Sequence, residues 1–114
     1  MVNYNATQLD KIFSALSDST RREMLARLTQ RDMSVQDLSA PFNMSKPAIS
    51  KHLKVLESAG LMQRQIRGRM HICRLASAPL SEVADWLAFY EQFWQNKMDS
   101  LDQFLADKGT DENA

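Results

Sequence analysis

The chain has 114 residues, 44 % hydrophobic and 25 % charged, which suits one domain and excludes a disordered or collagen-like chain. Its longest apolar run, Trp86-Leu87-Ala88-Phe89-Tyr90, is far short of the ~20 residues of a membrane span, and the single Cys73 excludes an internal disulfide. The zero net charge joins two opposed blocks: 46–74 carries seven basic residues against Glu57 alone, net +6, and 75–114 carries two lysines against eight acids, net −6.

Clustered cations suit a polyanion, because neutralising phosphates releases condensed counterions. Met1-Val2-Asn3-Tyr4-Asn5 is not a basic stretch followed by an apolar core, so no secretory signal is expected. The expected location is cytoplasmic.

In chain order, Leu9, Ile12, Phe13 and Leu16 recur at helical spacing and predict a first helix from about Thr7 to Leu16. Asp18 offers an N-cap to a second helix, with Thr20 and Glu23 at capping-box spacing, and Met24, Leu25 and Leu28 form its buried face. Residues 29–33 read as a loop. Ser34 and Asp37 resemble another capping box, opening a short helix that Pro41 ends, with Val35 and Leu38 inward. After the turn Phe42-Asn43-Met44, Ser45 caps a helix in which Pro47 is tolerated in the first turn. Ile49, Leu53 and Leu56 are its apolar stripe, and Gly60 stops it.

Two short runs, 61–66 and 70–75, flank Arg67-Gly68-Arg69 and predict a hairpin with a basic tip, its register undetermined. Past a break at Pro79, Ser81 opens the longest helix, running to about Asp107. The end beyond Gly109 reads as frayed.

The helix at 45–59 turns Lys46, Pro47, Ser50, Lys51 and Lys54 away from its core stripe, a face with three ammonium groups and no acid. Preceded by a short helix across a tight turn, such a face fits a major groove. Ser50 can reach base edges or phosphate, while the lysines position the protein on the backbone. An arginine-tipped hairpin after a recognition-type helix stands where a winged helix carries its wing, and arginine suits a narrow minor groove. The bland alternative is a solvated helix face. In the last helix, Leu80, Val83, Leu87, Tyr90, Trp94, Met98, Leu101 and Leu105 recur at three and four, and five of the nine aromatics lie between Trp86 and Trp94. So broad an apolar face predicts a partner surface.

Leu16-Ser17-Asp18-Ser19-Thr20-Arg21-Arg22, the Ser34–Leu38 helix, the stretch from Met44 to Leu61 and Arg67-Gly68-Arg69 together resemble the ArsR/SmtB family of small winged-helix repressors. The likeness covers roughly Thr7 to Leu75 in detail and the last helix in kind; Ser19 stands where the family usually has proline. The resemblance implies a homodimeric repressor of an inverted-repeat operator near its own promoter. The segment from Trp86 to Asp102 resembles the metal-free branch of the family, often encoded beside proteins that bind lipids or small hydrophobes.

The family's metal sensors carry cysteines in the short helix or histidine–acid clusters in the last. Here Gln36-Asp37-Leu38-Ser39-Ala40 has no cysteine, and the last helix has acids (Glu82, Asp85, Glu91, Asp99, Asp102) but no histidine. His71 and Cys73 share a strand face but make an incomplete site. No metal and no cofactor are expected.

The expected fold is mainly α with a small β-hairpin, a winged helix-turn-helix with long N- and C-terminal dimerisation helices. Residues 1–108 form one domain, including a dimerisation helix at 81–108, and 109–114 a flexible tail. Helix 45–59 would enter the major groove beside a wing at 61–75. The candidate DNA contacts are Gln36, Ser45, Lys46, Pro47, Ser50, Lys51, His52, Lys54, Arg64, Arg67, Gly68 and Arg69. The candidate dimer contacts are Leu9, Phe13, Leu87, Tyr90, Trp94, Met98, Leu101 and Leu105. The expected partners are double-stranded operator DNA and a second copy of the chain, no membrane, with room for an unidentified small-molecule effector. The alternative is a winged-helix protein-interaction module that does not bind DNA. No Ser/His/Asp or Cys/His arrangement and no glycine-rich phosphate loop is present, so an enzyme is not expected.

Overall fold

The computed structural model describes the backbone of residues 2–113 and the side chains of residues 7–108. Its elements are α1 (Val2–Leu16), α2 (Ser19–Leu28), β1 (Met33–Ser34), α3 (Val35–Ser39), α4 (Lys46–Ser58), β2 (Met62–Arg67), β3 (Met70–Leu75) and α5 (Ala78–Asn113). No helix among the described residues is long and apolar enough to cross a membrane.

The caps fall where the short polar residues predict them. Asp18 accepts from the Arg21 N–H at 3.1 Å, Ser34 from Asp37 N–H at 3.1 Å and Ser45 from Ala48 N–H at 3.3 Å. Each satisfies one first-turn amide that has no partner inside its helix. The Thr20–Glu23 spacing is not a capping box, because α2 has begun at Ser19 and Thr20 lies inside its first turn. The Arg21 N–H holds the Asp18 carboxylate below its usual range, against an opposing effect of burial. This cap therefore stabilises the fold at neutral pH and loses that contribution as acid protonates the carboxylate.

Gly60, at φ +75°, turns the chain out of α4, while the Leu61 N–H donates to the Leu56 carbonyl at 3.0 Å. Positive φ carries little penalty for glycine.

The sheet is antiparallel, in the order β1-β3-β2. It corrects the reading in two places. Met33 and Ser34, expected in or beside a loop, form a third strand opposite Cys73 and Ile72. Arg67 pairs with Met70, so the turn is only Gly68-Arg69 and Arg67 is the last residue of β2. Gly68 has φ +62° and Arg69 does not share the positive sign, the pattern of a type II′ turn with glycine first.

Two helix starts also move. α1 begins at Val2 rather than about Thr7, with the first six side chains outside the described residues. α5 begins at Ala78, because Pro79 lies in its first turn and breaks nothing. The Ser77 carbonyl accepts from Leu80 N–H at 3.0 Å and Ser81 N–H at 3.3 Å. α5 has 36 residues, about 54 Å at the usual helical rise. The tail expected at 109–114 falls on residues whose side chains lie outside the described set, and Ala114 lies outside it altogether.

The described residues up to Val83 form one packing unit and those from Ala84 onward another. The buried core lies in the first, where Ile12, Met24, Leu38, Leu53, Leu56, Leu61 and Cys73 are sealed from solvent and Leu80 and Val83 pack against them. Ile49, Leu53 and Leu56 anchor α4, each burial contributing about 1.5–3 kcal/mol. That anchorage fixes which side of α4 faces outward.

Candidate nucleic-acid interface

The α4 face opposite Ile49, Leu53 and Leu56 consists of Lys46, Pro47, Ser50, Lys51 and Lys54, all exposed, with the capping Ser45 exposed at its start. The preceding α3 is set against α2 by Arg27, whose Nη2 donates to the Asp37 carbonyl at 3.1 Å. Gln36 is exposed on α3. A groove of about 590 Å³ lies between α3, α4 and the hairpin, lined by Gln36, Lys46, Ser50, Arg64, Arg69 and His71 among others. Five of the expected DNA contacts thus converge from three separate stretches of sequence.

Lys51 and Lys54 flank a second groove of about 500 Å³ between α4 and α1, which also takes in Lys11. Lys11 and His71 are the two basic residues at these grooves that are not among the expected contacts. Lys11 lies on a helix whose sequence signal is its apolar stripe, and the sequence signal of His71 is its strand-face pairing with Cys73. The hairpin register, which places His71 opposite Ile66, is what brings it to the α4 side.

Two expected contacts are tied to protein partners. Arg64 forms an ion pair with Glu57, the one acid of α4, and ties β2 to that helix. His52 keeps only 17 % of its side chain exposed, with Nδ1 3.1 Å from Arg21 Nη1. Arg67 and Arg69 are exposed, and Arg67 Nη2 also donates to Gln65 Oε1 at 3.2 Å. With Arg64 neutralised locally, Arg67 and Arg69 carry the free charge of the hairpin tip. The Arg67→Ala/Arg69→Ala variant is therefore expected to bind duplex DNA more weakly, with a dependence of log affinity on log salt shallower by about 2. Titrations from low to physiological salt check this, and an unchanged slope would mean that the hairpin is held away from DNA.

Among the described residues, no three His, Cys, Asp or Glu side chains group to hold a metal ion. Cys73 is sealed in the core, and burial pushes its thiol up, so it stays protonated and is a poor nucleophile at neutral pH.

Within the second unit, Trp86, Leu87, Phe89, Tyr90, Phe93, Trp94, Met98, Leu101, Phe104 and Leu105 are each between 41 % and 76 % exposed. Trp86 and Tyr90 tilt together at 4.7 Å between centroids, and Phe89 meets Tyr90 edge-on at 5.2 Å. Of the other expected dimer contacts, Phe13 is exposed on α1 and Leu9 is half-buried.

Comparisons with known proteins bear on the family and the fold. The pattern defining the family described as "Bacterial regulatory protein, arsR family" matches residues 18–64, from the α2 cap through the whole of α4 and into β2. The transcriptional repressor SdpR of Bacillus subtilis is similar over 79 residues at 34 % identity, covering 69 % of this chain and 88 % of SdpR. The crystal structure of the ArsR family transcriptional regulator RHA00566 matches with a TM-score of 0.74 at 37 % identity, covering 79 % of this chain and 93 % of that one. A winged helix-turn-helix DNA-binding domain from Mycobacterium bovis, itself homodimeric, shares the fold with a TM-score of 0.61 at 21 % identity, over 77 % of this chain and 83 % of that one.

Proposed function

Because this chain belongs to the arsR family of bacterial regulatory proteins, a family of DNA-binding transcriptional regulators and not of enzymes, we propose that it is a homodimeric repressor. Its operator is an inverted repeat near its own promoter, and it works in the cytoplasm as one functional domain. The single observation that carries this reading is the α4 face of Lys46, Ser50, Lys51 and Lys54, acid-free and exposed beside an arginine-bearing hairpin. Each α4 enters a major groove with Ser50 toward the base edges and the lysines on phosphate, and each hairpin tip reaches the adjacent minor groove.

Dimerisation is supported by the exposed apolar face of α5 and by the homodimeric state of the Mycobacterium bovis domain. A stable interface takes ~800 Å² per partner. Aromatic side chains carry ~150–250 Å² each, so six half-exposed aromatics with the flanking leucines and Met98 reach that scale. Phe13 and Leu9 of α1 are further dimer contacts in this proposal. Sequencing the genomic fragments retained by purified protein tests the reading: an enriched inverted repeat with half-site centres about one helical turn apart is expected, and fragments sharing no motif would refute it.

Release from the operator is independent of transition metals in this account. The short helix α3 supplies no thiolate, the Ser81–Asp107 stretch supplies no imidazole, and Cys73 is buried. A transition-metal site needs such ligands in a fixed set. Zinc, nickel, copper and arsenite, titrated to stoichiometry against the protein–operator complex, are expected to leave it intact. Dissociation reversed by a chelator and abolished by His71→Ala or Cys73→Ser would overturn this. Repression is then set by protein concentration and autoregulation, with an apolar ligand at the α5 aromatics as the remaining route to an effector.

A further inference from the structure

One guanidinium joins three helices. α1 ends at Leu16, and its last carbonyls have no partner within the helix. Arg21, in the first turn of α2, donates Nε to the Ala15 carbonyl at 2.7 Å and Nη2 to the Ser14 carbonyl at 3.1 Å. Its remaining terminal nitrogen, Nη1, lies 3.1 Å from Nδ1 of His52 on α4. A guanidinium has donors only and stays charged at any physiological pH. Nδ1 must therefore accept with its lone pair, which places the imidazole proton on Nε2 and keeps the ring neutral.

We infer that His52 is a positioning residue for DNA recognition, bracing α4 against α1 and α2 through this neutral, Nε2-protonated form. The inference rests on the reading of α4 as the DNA-contacting helix. The charged groups facing Nδ1 are both on α2: Arg21, and Asp18, whose Oδ2 lies 3.9 Å away. α1 contributes to the junction the two carbonyls that orient Arg21. A proton on Nδ1 would oppose a cation to the guanidinium and remove the acceptor. The oxygen nearest to receive that proton is Asp18 Oδ2, already engaged in capping α2 through the Arg21 N–H. Protonation thus exchanges a brace for competition with a helix cap. His52 lies between Lys51 and Leu53, and Ser50 and Lys54 are two residues to either side, so loosening it re-aims the contact face.

The consequence runs against the usual trend. Acid adds positive charge and tightens phosphate binding, whereas losing the brace weakens it. The test measures operator affinity of the full chain at fixed salt at about pH 7.5 and about pH 5.5. The variants are His52→Asn, which keeps an acceptor oxygen but does not titrate, and His52→Leu, which keeps neither. The wild type is expected to lose affinity by about tenfold on acidification, the scale of one lost hydrogen bond to a charged group. His52→Asn should bind within about threefold of wild type at pH 7.5, with no acid-induced loss, and His52→Leu should be weaker by about tenfold at pH 7.5.

Nitrogen-resolved NMR of the free wild-type protein at pH 7.5 should show His52 as the Nε2–H tautomer, a readout independent of DNA and of variant folding. An Nδ1–H tautomer, or a His52→Leu variant that binds like wild type at both pH values, would overturn the inference. If the wild type bound no duplex DNA at any pH, the assignment of α4 to DNA would fail and with it a role in recognition, while the tautomer would still decide whether the brace exists.

Discussion

Trp94→Glu and Leu101→Glu are expected to yield monomers whose operator binding falls by at least ~100-fold. Each substitution puts a carboxylate in the middle of a surface that the dimer would dehydrate, and an unpaired buried charge costs several kcal/mol. A monomer engages one half-site at a time and loses the effective concentration that tethering supplies, a factor of ~10²–10⁴. Both positions are exposed and outside the core, so the variants should melt as folded proteins. Sedimentation at micromolar concentration distinguishes the outcomes. Wild-type protein sedimenting as a stable monomer would remove the dimer from the account.

Ser50→Phe is expected to change or abolish sequence preference, whereas Lys54→Ala is expected to lower affinity for every duplex alike. The serine hydroxyl is small enough for α4 to seat deeply, and one good base contact discriminates by ~1–3 kcal/mol. A phenyl ring there holds the helix off the groove floor and so removes neighbouring base contacts as well. A loss of ~100-fold or more in specific over non-specific binding follows, out of a typical range of ~10³–10⁷. As a proposed phosphate contact, Lys54 would carry no base information. Competition binding with operator and scrambled duplexes separates the two effects. A Ser50→Phe protein with wild-type preference would mean that another face of α4 meets the bases.

What could be read from the sequence was what local geometry determines. The Asp18, Ser34 and Ser45 caps bond three residues onward, within the reach of a motif, and the Ile49, Leu53 and Leu56 stripe follows from helical period alone. Non-local pairing was hidden. A two-residue strand at Met33 and Ser34 has too little length to show alternation, and its partners are some forty residues away. The hairpin register was invisible for the same reason that its alternation was weak: Arg64 is on the inner face, held there by Glu57. Nothing in the charge count marks Arg64 as paired and Arg67 or Arg69 as exposed. His52 is the sharpest case, since only the chain's fold brings Arg21 to its ring. Pro79 misled because a first-turn proline and a helix-breaking one look alike until the helix start is known.

The most direct test is a comparison of binding to the enriched inverted repeat and to a scrambled duplex of equal length at physiological salt. Two protomers per repeat and an affinity ratio of at least ~10³ are expected. A ratio near one, at any stoichiometry, would contradict sequence-specific recognition by α4.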